Sequence, residues 1–332
     1  MDEAENSEPR PAAPPLRRGV PFLWALVAIA IAALTAVGAL SLIRADQGPR
    51  PAFLDAPPQP AASARRLAAD RSSALVLAGS GSNLPLTRAL ALAFVDRDRG
   101  AKIVVAESIG SAGGVRAAHE GSIDVGLVSR PLSELESKLD LAVTPYARVP
   151  VVVAANSTAP DACVASGNLA GMWSGQGETA RWSDGSPVIV LQRERGDSSF
   201  LAMTLSHPEL GVANELAYDL KRWRVLYDDR SMQEALMATE GALGLFDLGQ
   251  ITAQRLPLRV LCVDGVTPSV EAVLSGRYPY FKDLAFVTRR ADAASEPVFQ
   301  AFLTFVRSSE GRAIAEALGY APLPLAAAGG AP

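Results

Sequence analysis

The chain is poor in the residues that carry most metal and nucleophilic chemistry. It has two His, His119 and His207, and two Cys, Cys163 and Cys262, which lie far apart in sequence. Neither a zinc cluster nor a Cys/His nucleophile pair is therefore spelled out, and His119 is expected on a helix surface. No Gly-Lys-Ser/Thr triplet occurs for a nucleotide P-loop, and the dinucleotide fingerprint that Gly79-x-Gly81 begins has Leu84 at its third glycine position. A basic excess is missing as well: the formal net charge is -4, which gives no field for nucleic acid. Carboxylates are plentiful, but none forms a distinctive acid–base pair. These absences point away from an enzyme and imply no cofactor.

What is present suits a large folded body. With 332 residues, 49% of them hydrophobic and 20% charged, the chain can bury a sizeable core and has room for two lobes. Its beginning differs in kind. From Val20 to Ile43 there is no charged residue, and at 1.5 Å per residue such a run spans a hydrocarbon core of roughly 30 Å. A transmembrane anchor over 20–43 behind a polar tail over 1–19 is expected, although Ala36-Val37-Gly38 could serve as a signal cleavage site. No Cys adjoins the run to carry a lipid. Arg17 and Arg18 on one side are balanced by Arg44 and Arg50 on the other, so charge does not set orientation. The stretch 44–72 is rich in Pro and Ala, as an extended tether would be.

Regular patterning follows. Leu75-Val76-Leu77 reads as a buried strand, Leu86 to Val95 as a helix with Leu86, Leu90 and Phe94 on one face, and Ile103-Val104-Val105 as the next strand. Val115 to His119 reads as a short helix and Ile123 to Val128 as a third strand. Such alternation predicts an α/β fold with a parallel, doubly wound sheet, whose ligands sit beyond the carboxyl ends of the strands. Ser133 with Glu136, and Ser231 with Glu234, have capping-box spacing. Thr267-Pro268 resembles a helix start, and Gly319 a helix end before Pro322.

Three Gly/Ser-rich turns stand between strand-like and helix-like runs: Gly79-Ser80-Gly81-Ser82-Asn83-Leu84-Pro85, Gly110-Ser111-Ala112-Gly113-Gly114, and Arg193-Glu194-Arg195-Gly196-Asp197-Ser198-Ser199. A helix start exposes unpaired N–H groups and the positive end of its dipole, so several converging on one point make an anion site. One such turn alone is an ordinary N-cap.

In their order, these blocks make the chain resemble the substrate-binding protein of ABC-type phosphate importers, a type II periplasmic binding protein. The resemblance runs from about Leu75 to Pro324. It includes Ser108 to Gly114, Ile123-Asp124-Val125-Gly126, Ser129-Arg130-Pro131-Leu132, Met172-Trp173-Ser174-Gly175 through Trp182-Ser183-Asp184-Gly185, and Arg193 to Ser199. Gly241-Ala242-Leu243-Gly244, Tyr278-Pro279, and Ser309-Glu310-Gly311 through Leu318-Gly319-Tyr320 complete it. The resemblance implies two lobes, each a mostly parallel doubly wound sheet: 73–152 and 281–325 form the first, 153–280 the second, and 326–332 a tail. It also implies a periplasmic, monomeric domain that captures inorganic phosphate, or a related oxyanion, and passes it to ABC permease subunits. The anchor keeps a second reading open, a tethered domain that reports an oxyanion to an envelope or membrane partner. Trp173 and Trp182 are expected to fill the core of the second lobe.

Carried over by position, Asn83 and Leu84 would offer backbone N–H groups, Ser111 a hydroxyl and an N–H, Arg193 a charged fork, and Asp197, Ser198 and Ser199 the third turn. Familiar members place an Asp where Arg130 stands, and that carboxylate accepts the proton of hydrogen phosphate. Asp197, where those members have Ser, is the obvious substitute. Arg130 is then left either to contact the anion or to pair with an acidic neighbour. Both Cys fall in the implied second lobe, either bridged or as two buried thiols.

Overall fold

The computed structural model describes residues 74–293 and 296–323. The apolar run at 20–43, the Pro/Ala stretch at 44–72 and the tail at 326–332 lie outside the described residues. Among the described residues, no helix is long and apolar enough to cross a membrane.

Three parallel strands open the fold. β1 (Leu75–Gly79) lies between β2 (Ile103–Val105) and β3 (Val125–Val128). Every residue of β1 and β3 is buried, which is why they read as unbroken apolar runs. Helix α1 (Leu84–Arg97) connects β1 to β2 and buries Leu86, Leu90 and Phe94. It exceeds the expected 86–95 at both ends, because Pro85 is tolerated in a first helical turn, where its missing N–H has no partner to lose.

Helix α2 (Gly110–His119) departs further from expectation. It begins five residues before Val115, so the second Gly/Ser turn is itself the first half of a helix. Glycine is a poor helix former, but here packing decides. A Cβ on Gly114 would meet Gly79 Cα at 2.9 Å, Leu127 O at 3.0 Å and Ala78 O at 3.1 Å, all of them backbone atoms. The bare Gly114 lets α2 lie directly on β1 and β3. His119, its last residue, is exposed.

The 16-residue strand β4 (Leu141–Asn156) joins the two halves of the molecule. From Leu141 to Pro150 it pairs antiparallel with β11 (Phe281–Arg289); from Val151 onward it pairs with β9 (Ala242–Asp247) and β10 (Leu258–Val263), again antiparallel. The sheets are thus mixed, which corrects the mostly parallel reading. Parallel pairs persist where βαβ connections occur, and the strands that pass between lobes run against them. In the second lobe, β5 (Cys163–Val164) is parallel to β10 and β6 (Ile189–Val190) to β9; β7 (Gln192–Arg193) and β8 (Val225–Leu226) form a separate parallel pair.

Each lobe has its own core. In the first, Phe286 stacks on Tyr146 at 4.1 Å and meets Phe299 edge-on, with Phe94 and Phe302 beside them. In the second, Trp173 and Trp182 are buried in the main cluster, as expected, and Trp182 Nε1 donates to Gly241 O at 3.0 Å. Cys163 and Cys262 form a disulfide across the β5–β10 pair, their Cα atoms 4.3 Å apart.

The expected caps fare unevenly. Ser133 and Glu136 do cap reciprocally: Glu136 N donates to Ser133 Oγ at 3.2 Å and Ser133 N to Glu136 Oε2 at 2.7 Å. Ser231 instead donates its N–H to Asp228 at 2.7 Å, while Glu234 pairs with Arg230. The N-cap of the helix Asp229–Ala238 is thus Asp228, three residues upstream of Ser231. Likewise Ser269, and not Thr267, caps the helix Val270–Leu274, because its Oγ accepts from Ala272 N at 3.0 Å. In both cases a competing oxygen lies nearer the first free N–H groups.

Candidate functional site

The first two turns lie at the carboxyl ends of first-lobe strands and face the third, on the second lobe, across a cavity of about 490 Å³. Ser80, Gly81 and Ser82 line it from the first turn, Ser108 to Ala112 from the second, and Arg193, Glu194, Gly196, Asp197 and Ser198 from the third. Helix α4 (Ser198–Thr204) starts at this cavity, and helix α6 (Asp229–Ala238) adds Asp228 and Asp229. Hydroxyl groups tie the turns together. Ser129 Oγ is 2.8 Å from Ser80 Oγ and 3.0 Å from Ser198 Oγ, and Ser129 N donates to Ser111 Oγ at 3.3 Å. Hydroxyls both give and accept hydrogen bonds, so this chain can turn donors toward a bound oxyanion.

Arg193 is the central cation. Its side chain is only 11% exposed and has three acidic neighbours: Asp229 Oδ1 at 3.0 Å from Nη1, Asp197 Oδ2 at 3.4 Å from Nη2, and Glu194 Oε2 at 3.5 Å from Nε. Burial works against its charge, and those carboxylates outweigh burial, raising its pKa. The acids respond unequally. Burial pushes the Asp229 and Glu194 carboxyls up from their ordinary values, with Arg193 opposing it in each case.

Beneath the turns lies a buried cation. Lys282 Nζ, on β11, sits 2.6 Å from Asp247 Oδ1 and donates to Ser82 Oγ at 2.8 Å and Ser199 Oγ at 3.0 Å. Both ionic side chains are almost fully buried, at 3% and 2% exposure. One ammonium thereby positions the first turn and the third.

Of the residues expected at the site, the structure brings Ser111, Arg130, Arg193, Asp197 and Ser198 to the cavity wall. Asn83, Leu84 and Ser199 are placed otherwise. The first turn closes as a short 3-10 helix over Gly81–Asn83, in which Asn83 N donates to Ser80 O and Leu84 N to Gly81 O. Their N–H groups are spent inside the turn, Leu84 packs in the core, and Asn83 Nδ2 donates to Val128 O and Tyr146 Oη. Ser199 lies under the cavity as an acceptor for Lys282.

For two of the expected residues the structure shows partners within the protein. Arg130 makes a bidentate pair with Glu136, at 2.7 and 2.9 Å, so its charge is met by its acidic neighbour. That pairing lowers the Glu136 pKa to about 2, the Arg130 hydrogen bonds being the largest cause. Asp197 is the N-cap of α4. Its Oδ1 takes N–H bonds from Ser199 and Phe200, both at 3.1 Å, and its Oδ2 faces Arg193.

Lys282, Asp247, Ser129 and Asp229 escaped the sequence reading. Ser129 stood within a matched block and could have been found there. The other three carry no motif.

A profile for the PBP superfamily domain matches residues 60–310, and the chain belongs to that superfamily. Among curated relatives, Protein SphX of Synechococcus elongatus is 25% identical over 279 residues, covering 77% of this chain and 80% of that protein. The phosphate-binding protein PstS of Bacillus subtilis is 24% identical over 263 residues, covering 76% and 81%. Among solved structures, a phosphate ABC transporter substrate-binding protein from Clostridium perfringens with bound phosphate superposes with a TM-score of 0.64 at 21% identity, covering 76% of this chain and all of that one. An ABC-type phosphate transport receptor from Vibrio cholerae gives 0.54 at 16% identity, covering 74% and 99%. These structures share the two-lobed mixed α/β fold.

Proposed function

We propose that this protein captures inorganic phosphate in the cavity between its lobes and delivers it to an ABC-type import permease. The observation that carries this reading is the convergence of three hydroxyl-rich turns on one buried guanidinium. Ser80, Ser82, Ser111 and Ser198 supply neutral donors, and Arg193 supplies the charge. The relatives named for phosphate binding support the ligand. Nothing in the cavity resembles catalytic machinery, and the role proposed is binding alone.

The lobes of this reading are 73–152 with 281–325, and 153–280. The uncharged run over 20–43 supports an inner-membrane anchor, with the binding domain held in the periplasm on the Pro/Ala stretch.

Calorimetric titration of the purified protein with phosphate, sulfate, arsenate, molybdate and tungstate tests the assignment. Phosphate, with arsenate as its close analogue, is expected to bind best; a preference for sulfate or molybdate would overturn it. In Arg193→Ala, phosphate binding should weaken by about 2 to 5 kcal/mol, the usual cost of removing one partner of a desolvated charged contact.

A further inference from the structure

The β7–β8 pair ends at the cavity in an arrangement that inorganic phosphate leaves unused. Arg193 is paired with Leu226 in the parallel register, so the residues that follow, Glu194 on one strand and Tyr227 with Asp228 on the other, leave the two strand ends side by side. All three line the cavity together with Arg193. Tyr227 is 74% exposed, a large aromatic residue on the wall of that space. Among the described residues, Glu194 Oε2 is buried and accepts no hydrogen bond; its cationic neighbour, Arg193 Nε, stands 3.5 Å away. Asp228 accepts the N–H of Ser231 on Oδ1 and its hydroxyl on Oδ2, and a carboxylate has room for about four such bonds.

The size and sign of the cavity bear on what would fit there. At about 490 Å³ it falls among sites for small organic ligands, and inorganic phosphate fills only part of it. Its wall carries four carboxylates, Glu194, Asp197, Asp228 and Asp229, against two guanidiniums, Arg130 and Arg193. Arg130 is already met by Glu136, and Asp197 and Asp229 are turned to Arg193. Lys282 and Asp247 neutralise each other below. The acid excess therefore falls on Glu194 and Asp228, beside the exposed ring. Burial holds the Glu194 carboxyl above its ordinary value, as suits a charge that Arg193 offsets only in part. Carboxylates next to an aromatic face are the chemistry that recognises an ammonium group.

Resting on the phosphate reading above, we propose that the same cavity also takes phosphate monoesters that carry an ammonium group. The phosphoryl group sits on Arg193 and the serine hydroxyls, as inorganic phosphate would, and the ammonium lies between Glu194 and Asp228 against the face of Tyr227. Such a zwitterion brings its own counter-charge to the acidic side of the wall, which free phosphate cannot.

Calorimetry of the full-length protein at neutral pH with phosphoethanolamine, n-propyl phosphate and inorganic phosphate tests this. n-Propyl phosphate has a methyl group where phosphoethanolamine has its ammonium, so the two esters differ in charge at that end and hardly in size. Phosphoethanolamine should bind about tenfold tighter than n-propyl phosphate. The double variant Tyr227→Leu with Asp228→Asn should bring the two within about twofold of each other, and Glu194→Gln should narrow the gap as well. Asn at 228 remains a good N-cap, so the helix start is kept. Equal affinity for the two esters in the wild type, exclusion of both while inorganic phosphate binds, or a gap unchanged in the variants would overturn the proposal and leave the phosphate reading in place. Binding of phosphoethanolamine without binding of inorganic phosphate would overturn that reading and keep the ammonium subsite. Failure of all three to bind would overturn both.

Discussion

Lys282 Nζ and Asp247 Oδ1 lie 2.6 Å apart, buried at the junction of β11 and β9, and the same ammonium donates to Ser82 and Ser199. A buried pair of this kind adds little net stability, yet breaking one side is expensive because a bare charge remains. Lys282→Met should therefore lower unfolding stability by about 3 to 5 kcal/mol. The double variant Lys282→Met with Asp247→Leu should recover most of that in urea denaturation. Phosphate affinity should remain at least tenfold weaker in both, because neither restores the donor that positions Ser82 and Ser199. Recovery of binding along with stability would show that the pair only supports the fold.

Glu136 yields a pH prediction. Its pKa is depressed from 4.5 to about 2 by Arg130. A depressed carboxyl contributes stability above its unfolded pKa and loses it as pH falls toward the folded one. At neutral pH, Glu136→Gln should cost about 1 to 2 kcal/mol after allowance for partial solvent screening. The gap between wild type and variant should close as pH falls from 4.5 toward 2. Chemical denaturation across that range checks it; a gap that persists at the acid end would remove the Arg130 pair as its cause.

Gly114 packs against the backbones of Gly79, Leu127 and Ala78. Gly114→Ala should destabilise by about 1 to 3 kcal/mol, the usual cost of overpacking a filled site. It should also weaken phosphate binding by lifting Ser111, at the start of the same helix, out of register. By contrast Gly167→Ala, where a Cβ meets nothing within 4 Å, should leave binding unchanged. Equal behaviour of the two variants would dissociate the packing of α2 from the site.

The Cys163–Cys262 bond closes a loop with a sequence separation of 99. Chain-entropy reasoning assigns such a closure about 4 to 5 kcal/mol. Replacing both residues by Ser should lower the melting temperature markedly while leaving phosphate affinity close to wild type, because β5 and β10 do not reach the cavity. Labelling of the unfolded, unreduced protein should find no free thiol.

The division between what sequence reveals and what it conceals follows from range. β1 and β3 were legible because full burial on both faces leaves an uninterrupted apolar run, and the three turns were legible because their small residues are contiguous. Arg193 was found because it leads one of those turns. Lys282 was not, since Phe281-Lys282-Asp283 reads as an ordinary alternating strand, and its burial arises only where β11 passes β9. The Ser133–Glu136 cap could be read from spacing, whereas the closure of Arg130 onto Glu136 needed the path of the loop. Asp229 carries no motif, and its approach to Gly81 exists only when two distant segments face each other.

The disulfide also has a topological effect. Every second-lobe side chain discussed at the cavity, from Arg193 through Ser198 to Asp229 and Asp247, lies between Cys163 and Cys262 in sequence. That half of the site is therefore enclosed in a covalent ring. A single peptide cleavage anywhere within 164–261 opens the ring without releasing a fragment, and both pieces stay joined until the bond is reduced. In a compartment that exposes the protein to proteases, a nicked molecule can keep its cation, its helix start and its acidic partners in one piece.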